Sequence, residues 1–369
     1  MILKCPPTIA CCAGAGSFRI DELAHAHFIT YFGIAIALVY DFTNGLHDPP
    51  NVLAPLISSR AMTPAQAALL VGIFAFIGPV LGGTAVADTL GSFVSLGNLG
   101  ETDAMRLLFC GILGATIWNI FTWRFGLPSS STHALVGGVT GVVVAGSGAG
   151  EVAWGVSALA HGHLAGVTKV LASLLVSPVL GLAAGFLLQR LMLFLLRGAR
   201  PSVNRPLRRG QWVSAALLAF SYGTNDAQKG MGMITLMLLL GGFIPKLQVP
   251  LWVIFACAAA IAFGTLMGGW RIVRTLGYGI YRLRPLHGLD AQASAALVIL
   301  GASAIGGPVS STQVVSSAIT GTGAAERPRA VRWIKAGEIL AAWLITLPGA
   351  ALLGIILWWT VSLILRMIG

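Results

Sequence analysis

Charge is what this chain has least of. Asp, Glu, Lys and Arg make up 9% of its 369 residues, against roughly 25% in an average soluble domain, while 56% of the residues are hydrophobic. That balance excludes a water-soluble globular fold and implies an all-α polytopic membrane protein with the lipid bilayer as its main neighbour. Cysteine is also scarce. Cys5, Cys11, Cys12, Cys110 and Cys257 lack metal-ligand spacing, so neither a disulfide framework nor a thiolate metal centre is expected; no metal is assigned and no cofactor is implied. Residues 1–26 lack the ordered basic, apolar and cleavage regions of a secretory signal and are read as an N-terminal extension.

A net charge of +11 invites a nucleic-acid reading that its distribution rejects. With the first span running outside to inside, the inner segments hold Arg60, the run from Arg197 to Arg209, the run from Arg271 to Arg284, and the run from Arg327 to Lys335. These are fourteen bases against six outside. The positive-inside rule accounts for such a bias, leaves no nucleic-acid partner to invoke, and puts both termini outside a cell inner (plasma) membrane. The two halves then have opposite orientations. We expect a first inverted repeat at 27–196, a basic cytoplasmic linker at 197–210 containing Pro201 and Pro206, and a second inverted repeat at 211–369.

Apolar stretches long enough for a hydrocarbon core of about 30 Å lie near 27–60, 66–90, 166–196, 211–240, 250–268 and 339–368. Two further segments, 106–146 and 290–322, carry a proline-led run of hydroxyls in their middle. They are read as two re-entrant helical hairpins whose tips meet inside the protein.

The strongest signal is a duplication. Asn44-Gly45-Leu46-His47-Asp48-Pro49-Pro50-Asn51 is followed by Pro128-Ser129-Ser130-Ser131-Thr132-His133, and Tyr222-Gly223-Thr224-Asn225-Asp226-Ala227-Gln228-Lys229 by Pro308-Val309-Ser310-Ser311-Thr312-Gln313. Asp48 and Asp226 are 178 positions apart, and Pro128 and Pro308 are 180 apart. Interrupted apolar segments at matching places in two halves mark the binding site of a transporter, because broken helices leave backbone groups free at the membrane midplane.

Asp48 and Asp226 are the sharpest residues, since an intramembrane carboxylate is costly unless it serves an ion or a proton. The competing reading is a helix cap or a pairing with Arg. Asp41 divides evenly between structural and functional roles. Asn44, Asn51, Asn225 and Gln228 add oxygen ligands that suit a hard cation such as Na⁺. His47 could carry protons or simply satisfy Asp48. The hydroxyl runs read as helix N-termini, opened by proline and capped by Ser or Thr, and their free N–H groups suit a tetrahedral oxyanion. Plain capping is the alternative for either run alone.

These motifs resemble those of the inorganic phosphate transporter (PiT) family, which carries an Asn-Gly-x-His/Asn-Asp-x-x-Asn and a Pro-x-Ser-Ser/Thr-x-His signature in each half. The resemblance runs from about residue 27 to 368 and includes Gly269-Trp270-Arg271. It implies secondary active symport of inorganic phosphate with Na⁺ or H⁺, in some bacterial members as a metal-phosphate complex. By that resemblance phosphate falls to Ser130, Ser131, Thr132, Ser310, Ser311 and Thr312, and the coupling ion to Asp48, Asn51, Asn44, Asn225 and Asp226. This chain departs from the pattern at Gln313, at Tyr222, at Pro49-Pro50 and at Lys229. The ammonium of Lys229 could replace one cation or neutralise phosphate, so His47 and Lys229 are held as proton or anion partners. Arg124, before the first tip, is read as a base reaching for the interface in preference to an anion ligand.

Three other functions fit parts of the pattern. A sulfate or other oxyanion permease would keep the fold and change the cargo. An intramembrane serine hydrolase would need Ser131, His133 and Asp48 as a triad, yet the second half lacks the His. An anion channel would set two aspartates against its own cargo. A homo-oligomer is compatible with all of these.

Overall fold

The computed structural model describes residues 15–96, 99–268, 273, 281 and 283–368, with side chains from residue 28. The first signature lies on α1 (Ala15–His47) and α2 (Pro50–Ser58). Next come α3 (Pro64–Leu81) and the short α4 (Ala85–Gly91). α5 (Glu101–Phe125) and α6 (Ser131–Gly146) form the first hairpin, and α7 (Val156–Ala160) leads to α8 (Gly166–Leu195). The second half holds α9 (Asn204–Leu240), α10 (Leu251–Met267), the hairpin of α11 (Pro285–Ala304) and α12 (Ser311–Glu326), and α13 (Trp333–Ile368). Among the described residues there is no strand, and five helical spans are long and apolar enough to cross a membrane: 28–58, 64–81, 101–125, 166–195 and 333–367.

Several boundaries differ from the sequence reading. α1 begins at Ala15, inside the stretch taken as an extension, and α9 begins at Asn204, so half of the basic linker is helix. The apolar stretch 66–90 ends its first helix at Leu81 and restarts at Ala85. α5, with 25 residues, has the length of a full span. Gly269-Trp270-Arg271, Arg274 and Arg282 lie outside the described residues.

The second interruption is not an interruption. α1 stops at His47 because Pro49 and Pro50 offer no N–H to the helix ladder and crowd the preceding turn; the chain restarts at once with Pro50 at the first turn of α2. In the second half no proline stands near Asp226, and α9 runs unbroken through Tyr222–Lys229. Its glycines each cost a helix only about 1 kcal/mol, which tertiary packing overrides.

Other local devices do repeat. Gly126 and Gly306, each two residues before its tip proline, both sit at φ +67°, a left-handed conformation open to glycine without penalty, and turn the chain from one hairpin helix to the next. Gly45 and Gly223 permit equivalent close crossings: a Cβ on Gly45 would lie 3.0 Å from Gly264 Cα of α10, and one on Gly223 2.8 Å from Ala75 Cα of α3.

The packing interlocks the halves. α1 lies on α10 and α9 on α3; α6 lies on α13 and α12 on α8; within each half α1 packs on α5 and α9 on α11. Each partner pair maps onto another when the halves are exchanged. The outer surfaces of α8 and α13 expose apolar side chains, with Leu175 at 70% and Leu344 at 68%, as lipid-facing helices do. The open end of the second hairpin is fastened where Glu326 accepts from Arg284 and meets the buried ring of His287.

Candidate functional site

Where the two hairpin tips meet, α1 and α9 bring their aspartates together. Asp48 follows the last residue of α1, with its N–H still bonded to the Asn44 carbonyl at 2.9 Å. Its Oδ2 accepts from Ser131 Oγ at 2.8 Å and lies 3.3 Å from Ser311 Oγ, and its Oδ1 accepts from Thr312 Oγ1 at 2.6 Å. His47 Nδ1 lies 3.2 Å from Oδ1. Asp226 accepts from Ser311 Oγ at 2.7 Å and from the amide of Asn225 at 2.8 Å, and forms an ion pair with Lys229 one turn on. One hydroxyl, Ser311 Oγ, therefore lies within hydrogen-bond distance of both carboxylates. The helix N-termini of α6 and α12 add partial positive charge where these carboxylates stand.

Every member of this cluster is buried, and none of the aspartates, serines or threonines exceeds 2% exposure. The centre is closed to both faces of the protein. Two carboxylates survive there because each oxygen finds donors.

The six hydroxyl residues have three separate jobs. Ser130 and Ser310 are extended N-caps whose oxygens accept from the backbone N–H of His133 at 3.2 Å and Gln313 at 3.4 Å. Thr132 donates to the Val309 carbonyl at 3.0 Å and so ties tip to tip. Only Ser131, Ser311 and Thr312 face the carboxylates. Position explains the caps, because a cap residue turns its oxygen along its own helix axis, whereas the next two project from it; Thr132 and Thr312 share a position and differ in the partner that stands opposite each.

The amides divide similarly. Asn51 donates to Thr312 Oγ1 at 2.9 Å. Asn225 holds the second tip, donating to the Val309 carbonyl at 2.8 Å and accepting from its N–H at 3.3 Å. Asn44 is buried beside the break. Gln228 is drawn away from the centre: its Oε1 accepts from the N–H groups of Val86 and Ala87, at 2.7 and 3.2 Å, and caps α4. Arg124 is exposed at the end of α5.

Other residues reach the site without having been singled out. Tyr40 donates to the Ser131 carbonyl at 2.9 Å. Ser129 and Thr122 approach His47 Nε2 at 3.2 Å each. Trp343 donates to the Pro128 carbonyl at 3.0 Å. Tyr40, Asn44, His47 and Asn51 recur at helical spacing, a polar stripe that could have shown Tyr40 to share their face. Asp41, nearly two turns before the break, is buried against Gly230, where a Cβ would overlap its carboxylate.

The expected Ser131–His133–Asp48 geometry is not present. Ser131 bonds directly to Asp48, while His133 Nδ1 lies 2.7 Å from Ser130 Oγ, so His133 does not stand between Ser131 and Asp48 as that triad requires.

Apolar helices around a duplicated, enclosed polar centre are the build of a membrane transporter. The model of the phosphate transporter family matches residues 44–202 and 192–354, and the chain belongs to that family, whose members are transporters rather than enzymes. A probable low-affinity inorganic phosphate transporter of Rhizobium meliloti (strain 1021) is 39% identical over 333 residues, covering 90% of this chain and 96% of the relative. A protein of the same description from Bacillus subtilis (strain 168) is 36% identical, covering 91% and 98%. A solved structure described as the sodium-dependent phosphate transporter superposes with a TM-score of 0.80 at 22% identity, over 91% of this chain and 100% of that one; at that identity the likeness is one of fold.

Proposed function

We propose that this protein imports inorganic phosphate by symport with a cation, Na⁺ or H⁺, across the cell inner membrane. The observation that carries the reading is that the two carboxylates hold the hydroxyl donors of the tips: Ser131 and Thr312 donate to Asp48, and the single hydrogen of Ser311 Oγ, 2.7 Å from Asp226 and 3.3 Å from Asp48, can go to either carboxylate. A carboxylate is an acceptor only. While Asp48 is ionised without a mobile cation, the carboxylates hold the donors that a phosphate would need. A cation or proton arriving at Asp48 weakens its grip on the hydroxyls, which then turn to phosphate together with the N–H groups of the two helix N-termini. Cation first and anion second is thus a consequence of who holds the hydroxyl hydrogens.

In this reading Ser131, Ser311 and Thr312 are the phosphate donors, and Ser130, Ser310 and Thr132 shape the tips around them. Asp48, Asn44, Asn51, Asn225 and Asp226 surround the cation, with His47 as relay if that cation is a proton. The halves are inverted repeats, 27–196 and 211–369, with re-entrant hairpins and both termini outside. Access alternates by movement between the halves. The names of the relatives favour phosphate over sulfate as cargo.

Purified protein in liposomes tests this, with labelled phosphate outside and Na⁺ and pH gradients imposed separately. Uptake is expected to follow one of the two gradients and to collapse in Asp48→Asn, with sulfate competing poorly. Uptake that ignores both gradients would make the protein a channel, and sulfate competing on equal terms would make it a general oxyanion permease.

A further inference from the structure

Asn51 and Lys229 hold equivalent places in the two halves, each three residues after its aspartate. Both are buried, at 1% and 0% exposure, and both reach across to a hydroxyl of the opposite hairpin: Asn51 to Thr312 Oγ1 at 2.9 Å, Lys229 Nζ to Ser131 Oγ at 3.3 Å. The positions do the same hydrogen-bonding work with different charge. An amide is neutral, whereas an ammonium is a fixed monovalent cation, and this one is ion-paired with Asp226.

The two carboxylates consequently have unlike surroundings. Around Asp48 the partners are three hydroxyls and the ring of His47. Around Asp226 they are one hydroxyl, one amide and the ammonium. A mobile cation entering beside Asp226 would meet a like charge at contact distance in a closed, water-poor centre, where such repulsion is weakly screened. Beside Asp48 stand hydroxyl oxygens, which can turn their lone pairs towards a cation, and the imidazole of His47, with no ammonium among the described residues bonded to this carboxylate.

We infer that Lys229 is a built-in cation that takes the place of one transported cation, leaving the Asp48 half as the place where the mobile coupling ion binds. The protein therefore moves one cation fewer per phosphate than it would with a neutral residue at position 229. The inference rests on the cation-coupled reading above and fixes a number within it.

The test copies the first half into the second. Wild-type protein, Lys229→Asn and the double variant Asp226→Asn/Lys229→Asn are reconstituted, and the membrane potential at which phosphate flux reverses is measured under known Na⁺ and H⁺ gradients. Lys229→Asn should raise the cation-to-phosphate ratio by one and steepen cation activation; the double variant, with its charge pair gone, should return to the wild-type ratio. Should Lys229→Asn bind phosphate without transporting it, the count moves to equilibrium: Na⁺ bound plus H⁺ taken up per phosphate should be one greater than in wild type. Equal ratios or equal counts, with wild-type transport intact, overturn the inference alone. Wild-type protein that moves no phosphate overturns it together with the functional reading beneath it.

Discussion

Ser311 is the most consequential single side chain, because its Oγ lies within bonding distance of both carboxylates, at 2.7 and 3.3 Å. A hydrogen bond to a charged partner is worth about 1.5 to 3 kcal/mol. Ser311→Ala should therefore raise the phosphate dissociation constant roughly ten- to a hundredfold, read by titration calorimetry on purified protein; an unchanged constant would place phosphate elsewhere. Ser310→Ala and Ser130→Ala should behave differently. Each removes an N-cap, at about 1 kcal/mol of stability, so thermal unfolding should shift while phosphate affinity moves less than in Ser311→Ala. The aspartates were legible in the sequence because an intramembrane carboxylate needs a reason. The division of labour among six neighbouring hydroxyls was not, since it depends on Ser130 and Ser310 being extended and their successors helical, a difference that residue type does not encode.

Among the elements, the asymmetric break is what places the aspartates. Pro49-Pro50 ends α1 just before Asp48, whose N–H makes the last ladder bond to Asn44, whereas Asp226 stays on one face of an unbroken α9. Reading both signatures as breaks gave glycine the weight that only proline deserved; the absence of proline between Tyr222 and Lys229 was visible all along. The hairpin turns were better encoded, because Gly126 and Gly306 precede the tip prolines at one spacing and adopt one conformation. Gly306→Ala and Gly126→Ala should each cost about 1 to 2 kcal/mol, the penalty of a side chain in left-handed backbone. Thermal unfolding in detergent measures this, and a variant as stable as wild type would show that the turn relaxes to another conformation.

At the scale of the molecule the repeats are not separable bodies. α6 of the first half packs on α13 of the second and α12 on α8 of the first, while α1 and α9 exchange α10 and α3. Sequence showed the duplication, but which half supplies each helix's neighbour is a property of long-range packing that no local pattern records. Cutting the chain at the exposed turn 197–203 and expressing both pieces together should give a complex that co-purifies and takes up phosphate, since exposed turns with few contacts tolerate nicking. Either piece alone should bind none. A first half that binds phosphate by itself would show that the site does not need both tips.

In the proposed cycle the carboxylates and the phosphate compete for the same hydroxyl donors, and a cation settles the competition. Phosphate binding to purified protein, titrated across Na⁺ at fixed pH and across pH at fixed Na⁺, tests it most directly. The account predicts that one of the two cations tightens phosphate binding at least about tenfold, a coupling of roughly 1.4 kcal/mol within the usual range, and that Asp48→Asn abolishes the dependence. A wild-type dissociation constant that is flat across both series would contradict it.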